Sequence, residues 1–136
     1  RRFIDPDAEL LYVSPGEVLA VASAQGAVPY DITDVALSHD GERCSFDAFL
    51  DRYRLRDPAL QELATIVRGA DTGELDLAPQ APGLLAVSLG LSRLFADDHE
   101  MLRHGMVVYD ALYLWCREGK DETHTWNPEA YTITKA

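Results

Sequence analysis

The stretch Gly90-Leu-Ser-Arg-Leu-Phe-Ala-Asp-Asp-His99 joins an apolar helical pattern to a charged cluster. At helical spacing, Leu84, Val87, Leu91 and Leu94 form one stripe, and Asp98 continues it. An ionised carboxylate on a buried stripe must be paired, bound to a metal or protonated, because burying it bare costs more than a fold can absorb. His99 is the next residue, so the spacing predicts a positive group beside Asp97, Asp98 and His99. Two continuations are open. The helix runs on through the Asp-Asp pair, or it ends near Ala96 and restarts with Asp97 as N-cap and Glu100 three residues later.

Upstream of this stretch, Asp57-Pro58 opens a strong helix whose Leu60, Leu63, Ala64 and Val67 share one face, with Gly69 closing it. The segment Asp71 to Pro82 contains Gly73, Pro79 and Pro82 and reads as a loop, and the long apolar helix starts near Pro82-Gly83. Downstream, Gly105 reads as a stop, and a last core helix covers Val107 to Arg117, with Val108, Leu112 and Trp115 aligned. Toward the N-terminus, Glu9-Leu-Leu-Tyr-Val13 is short, apolar and β-prone and reads as a buried strand before Ser14-Pro15-Gly16. Ser14 as N-cap, Pro15 at N1 and Glu17 at N3 start a helix that runs to about Gln25 and stops at Gly26. Ala27 to Ile32 is a second candidate strand, and Ser45 caps a helix over about Phe46 to Tyr53. The expected fold is therefore α+β and mostly α-helical: a helical core with one or two short N-terminal strands. The expected domain covers residues 1–118, followed by a polar tail, 119–136, with a small β-prone patch at Tyr131 to Ile133.

The 136 residues are enough for one domain with a proper core. A hydrophobic content of 47% with 26% charged residues fits an ordinary globular protein. No apolar run approaches the roughly 20 residues of a membrane-spanning helix. No signal peptide is visible, and the opening Arg1-Arg2-Phe3 without an initiator Met reads as a fragment or a processed product. Twelve Lys and Arg stand against 23 Asp and Glu, a net charge of −11. That balance excludes a nucleic-acid grip built from this segment, since phosphate binding needs clustered positive charge. The local cluster Arg52, Arg54 and Arg56 is cancelled by Asp47, Asp51 and Asp57. Two cysteines, Cys44 and Cys116, without a C-x-x-C pair give neither a disulfide scaffold nor a zinc finger, and reduced thiols fit a cytoplasmic protein.

Two polar clusters sit beside apolar elements: His39-Asp-Gly-Glu42-Arg-Cys44-Ser45, and Asp97-Asp98-His99, with Asp71 as a third contributor. His39, Glu42, Asp71, Asp98 and His99 together form a mixed nitrogen and oxygen donor set suited to zinc, manganese or non-haem iron. Their spacing matches no established metal motif. Each also has a plain reading. Asp97 with Glu100 is a helix cap, Asp98 pairs with Arg93 or Arg68, His99 is a structural histidine, His39 is solvated and Asp71 is a turn residue. Cys44 after Arg43 and before a helix is the one thiol placed for reactivity, with His39 as its local base; Cys116 reads as packing. His104 before Gly105 fits a cation at a helix C-terminus, and His124 in the tail reads as solvated. No phosphate-binding glycine loop and no G-x-S-x-G elbow are present, so no catalytic residue is assigned.

Several longer strings carry a family resemblance. Arg68-Gly-Ala-Asp-Thr72, Gly83 through His99, Gly105-Met106, Tyr109-Asp-Ala-Leu-Tyr113 and Trp115-Cys116 resemble the C-terminal domain of the chromate-resistance protein ChrB. So do Arg1-Arg-Phe-Ile-Asp-Pro6 and Gly41-Glu-Arg-Cys-Ser-Phe46. The resemblance implies a bacterial chromate-resistance protein whose full-length form senses chromate and regulates an efflux transporter. It also implies a cysteine-containing segment before Arg1 and a DNA-binding part, neither of which lies in these 136 residues. Chromate is a dianion, so a direct site requires arginines, and Arg2, Arg68 and Arg93 lie next to matched positions. A carboxylate-rich site favours a cation instead, chromium(III) or a zinc, iron or manganese ion. The readings in competition are thus a ligand- or metal-sensing domain, a metal-dependent enzyme using the same residues, and a structural interaction module.

Overall fold

The computed structural model describes residues 2–119. Its five helices are α1 (Val18–Gln25), α2 (Ser45–Arg52), α3 (Pro58–Thr72), α4 (Ala81–Leu94) and α5 (Asp98–Arg117), with a 3₁₀ turn at Leu75–Leu77 between α3 and α4. Helix α3 is the hub, packing against α2, α4 and α5. Its start follows from chemistry: the Asp57 carboxylate accepts from the Ala59 N–H at 2.9 Å, and Pro58 fills the first helical position, where no N–H is needed. Leu60, Leu63, Ala64, Ile66 and Val67 recur at helical spacing and are all buried. Against them lie Cys44, Leu50 of α2, Leu84 of α4, and Tyr113 and Cys116 of α5.

Among the described residues there is no strand, so the expected α+β class is corrected to all-α. One isolated bridge joins Asp40 and Arg43. The segments 9–13 and 27–32 are short, and a strand needs a partner of matching register and a third element to cover it. Here aromatic contacts take over. Tyr12 packs edge-on against His99 with ring centres 4.9 Å apart, and Tyr30 against Phe49 at 5.5 Å. Leu11, Tyr12 and Val13 stay about two-fifths exposed, so the expected buried strand is an exposed arm.

The helix ends also differ in places from expectation. Helix α1 begins at Val18 rather than near Ser14, which instead forms a turn, its carbonyl accepting from the Glu17 N–H. It stops as expected at Gly26, in the left-handed region at φ 64°. Cys44, not Ser45, is the cap of α2. Gly69 does not end α3. A Cβ there would stand 3.0 Å from both the Ala81 Cβ and the Glu74 carbonyl oxygen, so this glycine allows the α3–α4 connection to pass close. The helix ends three residues later, before Gly73 at φ 80°. Gly105 is likewise no stop but lies inside α5, facing Leu91 of α4, where packing outweighs about 1 kcal/mol of poor helix propensity. Of the two continuations open at Asp97 the chain takes the restart: the Asp97 carboxylate accepts from the Glu100 N–H at 2.8 Å. The β-prone patch at Tyr131 to Ile133 and His124 lie outside the described residues.

Candidate functional site

Helix α4 stops at Leu94, so the stripe of Leu84, Val87, Leu91 and Leu94 does not reach Asp98, which starts α5 as an exposed residue. The buried carboxylate expected there is replaced by a buried carboxylate elsewhere. Asp47 of α2 is 4% exposed. Its carboxylate accepts from the Cys44 backbone N–H at 3.1 Å and from Arg68 of α3 at 3.0 Å. This pair ties α2 to the hub and commits Arg68. Arg2 is committed as well, to Asp110 at 3.0 Å, with its guanidinium 5.8 Å from the Phe3 and Tyr113 rings. Arg93 is exposed in the last turn of α4. The three arginines therefore occupy separate places, two of them already paired with carboxylates.

The residues that do converge are His39, Asp71 and Asp31. The imidazole Nε2 of His39 lies 3.3 Å from a carboxylate oxygen of Asp31 and 3.3 Å from one of Asp71. Asp71 comes from the last turn of α3, and Asp31 from the irregular connection before α2. Asp31 adopts φ 59°, a left-handed conformation that Asp tolerates better than most residues, and Ser45 donates to its carboxylate at 2.7 Å. Leu37, 3% exposed, anchors the same connection, its carbonyl accepting from the Asp31 N–H at 2.9 Å. His39 and Asp71 belong to the expected donor set; Asp31 was missed. Nothing local marks Asp31, because its role depends on a left-handed backbone turn and on His39, which Asp71 of α3 meets as well.

Asp71 also borders a small cleft of about 170 Å³ lined by Val67, Ala70, Leu85, Ser88 and Tyr109. Partial burial pushes the Asp71 carboxyl upward, His39 opposes the shift and Asp31 adds to it. Burial likewise raises the Tyr109 phenol, with Asp71 and Cys44 contributing. Glu42 is exposed beside the Asp40–Arg43 bridge and joins no ion pair among the described residues. Asp98 and His99 sit at the start of α5, where the His99 ring packs on Tyr12. The Tyr12 phenol is raised by burial first, then by Tyr30 and by Asp98. Among the described residues no group of three or more His, Cys, Asp and Glu is arranged as a metal-ligand set. Cys44 is fully buried and burial pushes its thiol up, the opposite of an activated nucleophile. His104 stacks on Phe95 at 4.4 Å rather than ending a helix.

Residues 1–116 match the family described as ChrB, C-terminal domain. The chain belongs to that family. It is a chromate-resistance-related domain, as the resemblance of its Arg68–Thr72 and Gly83–His99 strings implied. No curated protein and no solved structure gives a match. No helix among the described residues of this ChrB-family domain is long and apolar enough to cross a membrane.

Proposed function

We propose that this ChrB-family domain is the ligand-sensing part of a chromate-response regulator, and that it senses a cation at His39, Asp31 and Asp71. The observation that carries this reading is the position of the His39 Nε2, 3.3 Å from carboxylates on two different elements. Those separations exceed the usual N–H···O range of about 2.7–3.2 Å. They leave a gap between the imidazole and the two carboxylates that a shared cation would bridge. Ser45 orients the Asp31 carboxylate, as outer-shell partners of ligands do. Two carboxylates in a chain of net charge −11 favour a cation over the chromate dianion, and Arg2 and Arg68 are engaged elsewhere. Zinc, manganese, iron or chromium(III) meets this donor chemistry.

A cation here would clamp the connection 27–43 onto α3 next to the Tyr109 cleft, which gives binding a conformational output. A second reading is an ion-pair lock, in which His39 alone holds the two carboxylates. It is favoured by the lack of a ready ligand set of three among the described residues. Equilibrium dialysis against zinc, manganese, chromium(III) and chromate, read by elemental analysis, separates the two. The sensing reading expects about one equivalent of a cation retained by the wild type and lost in His39→Ala and Asp71→Asn. Retention of chromate alone, or equal cation uptake by all three proteins, would overturn it.

A further inference from the structure

Helix α4 is apolar around most of its circumference, yet only Ala81 and Leu84 of its fourteen residues are buried. A helix of that composition belongs against protein on more than one side. The side turned away from α3 and α5 carries Gly83, Val87, Gly90 and Leu94, spaced four, three and four residues apart, which is the spacing of a helix–helix seam. Val87 is 46% exposed and Leu94 71% exposed, and a Cβ added at Gly83 or Gly90 would meet nothing within 4 Å. The helix contains no acidic residue, in a chain whose net charge is −11. It is a place where two copies can meet without carboxylates facing each other.

We infer that this face of α4 pairs with the same face of a second copy of the chain, antiparallel about a two-fold axis. The relief of the seam specifies the occupant. In an antiparallel pair centred between Ser88 and Leu89, Leu94 of one copy lies over Gly83 of the other, and Val87 lies over Gly90. Each side chain thus meets a gap, twice over, as an isologous interface requires. A chemically different partner would have no reason to find large and small steps in this mirrored order. From Gly83 to Leu94 the seam is about 17 Å long at a rise of about 1.5 Å per residue, so it supports a weak and concentration-dependent dimer rather than an obligate one.

Sedimentation equilibrium of the whole chain from about 1 to 200 μM tests the pairing, since a small interface dissociates in that range. The expected result is a reversible dimer that Gly83→Leu weakens about tenfold or more, because Leu94 then meets a filled gap. Leucine is the better helix former and adds apolar surface, so Gly83→Leu loses pairing only if the register is right. Leu94→Ala, at a largely exposed site, should weaken the dimer as well. The double variant Gly83→Leu/Leu94→Ala exchanges knob and gap and should restore pairing toward the wild-type level. Three results would overturn the inference: a wild-type monomer throughout, tighter association of Gly83→Leu, or a double variant weaker than both single ones.

Discussion

The hub helix α3 and the arm before α1 use the same kinds of residue to opposite ends. In α3, six apolar residues from Ala59 to Val67 are buried between two defined termini, the Asp57 cap and Gly73. In the arm, Leu11, Tyr12 and Val13 are contiguous, equally apolar and about two-fifths exposed. Periodicity, not hydrophobicity, separates them: an apolar run without a helical or paired-strand pattern has no surface of its own to bury against. The sharpest test is a pair of truncations. Ile66→Ala, at a site 1% exposed, should cost about 3–5 kcal/mol in urea unfolding, while Leu11→Ala should cost about 1 kcal/mol or less. Comparable losses would mean the arm is as much a part of the core as α3.

The same contrast holds for ion pairs. Arg68 meets a buried carboxylate, Asp47, whereas Arg2 meets Asp110 with both side chains about half exposed. Removing Arg68 leaves Asp47 buried with its charge uncompensated. Arg68→Ala should cost about 2–3 kcal/mol, below the value for a fully buried pair because Arg68 itself is 27% exposed. Arg2→Ala should cost about 0–1 kcal/mol. Thermal denaturation of the two variants beside the wild type decides the matter, and equal shifts would break the distinction.

Which parts were legible in the sequence follows the same line. The Asp57-Pro58 start, the stop at Gly26 and the restart at Asp97 each rest on contacts within four residues, and all three are found in the fold. Gly69 and Gly105 carry the same local signal as a stop but serve the passage of one helix past its neighbour, which only the tertiary structure reveals. β-prone composition predicts N-terminal strands, yet the described residues supply no partner for them, and aromatic contacts with Phe49 and His99 prevail. At the site, His39 and Asp71 were legible as polar residues beside apolar elements. Asp31 and the buried Asp47 were not: Asp31 takes its place from a left-handed turn that sets it against His39 and Ser45, and Asp47 from Arg68 of α3, far along the chain.

A smaller effect, read by pH, lies where α5 meets the start of α3. The Tyr113 hydroxyl donates to Asp57 at 2.6 Å, and this hydrogen bond, helped by backbone N–H groups and Arg117 and opposed by burial, holds the Asp57 carboxyl below its ordinary value of 3.8. A carboxyl depressed on folding contributes stability that is present above the unfolded value and is lost as pH falls through the folded one. Wild-type stability should therefore fall more steeply below about pH 4 than that of Tyr113→Phe, in which the carboxyl has lost its main partner. Parallel curves in acid urea titrations would show that the bond does not distinguish the folded state.

The smallest expected effect lies in the connection that carries Asp31. Asp31 and Asp34 both hold positive φ, at 59° and 63°, but only Asp31 is fastened, by Ser45 and His39. If the turn is shaped by backbone demand alone, glycine should suit both positions. At Asp34 the strain relieved and the extra freedom of the unfolded chain nearly cancel, so Asp34→Gly should change stability by no more than about 1 kcal/mol, in either direction. Asp31→Gly relieves the same strain but removes the carboxylate that faces His39, so it should be the more destabilising of the two. The sign of the difference between the variants therefore reports whether the carboxylate or the turn holds the connection in place. A connection held by the carboxylate answers to whatever occupies the space between Asp31, His39 and Asp71; one held by the turn does not.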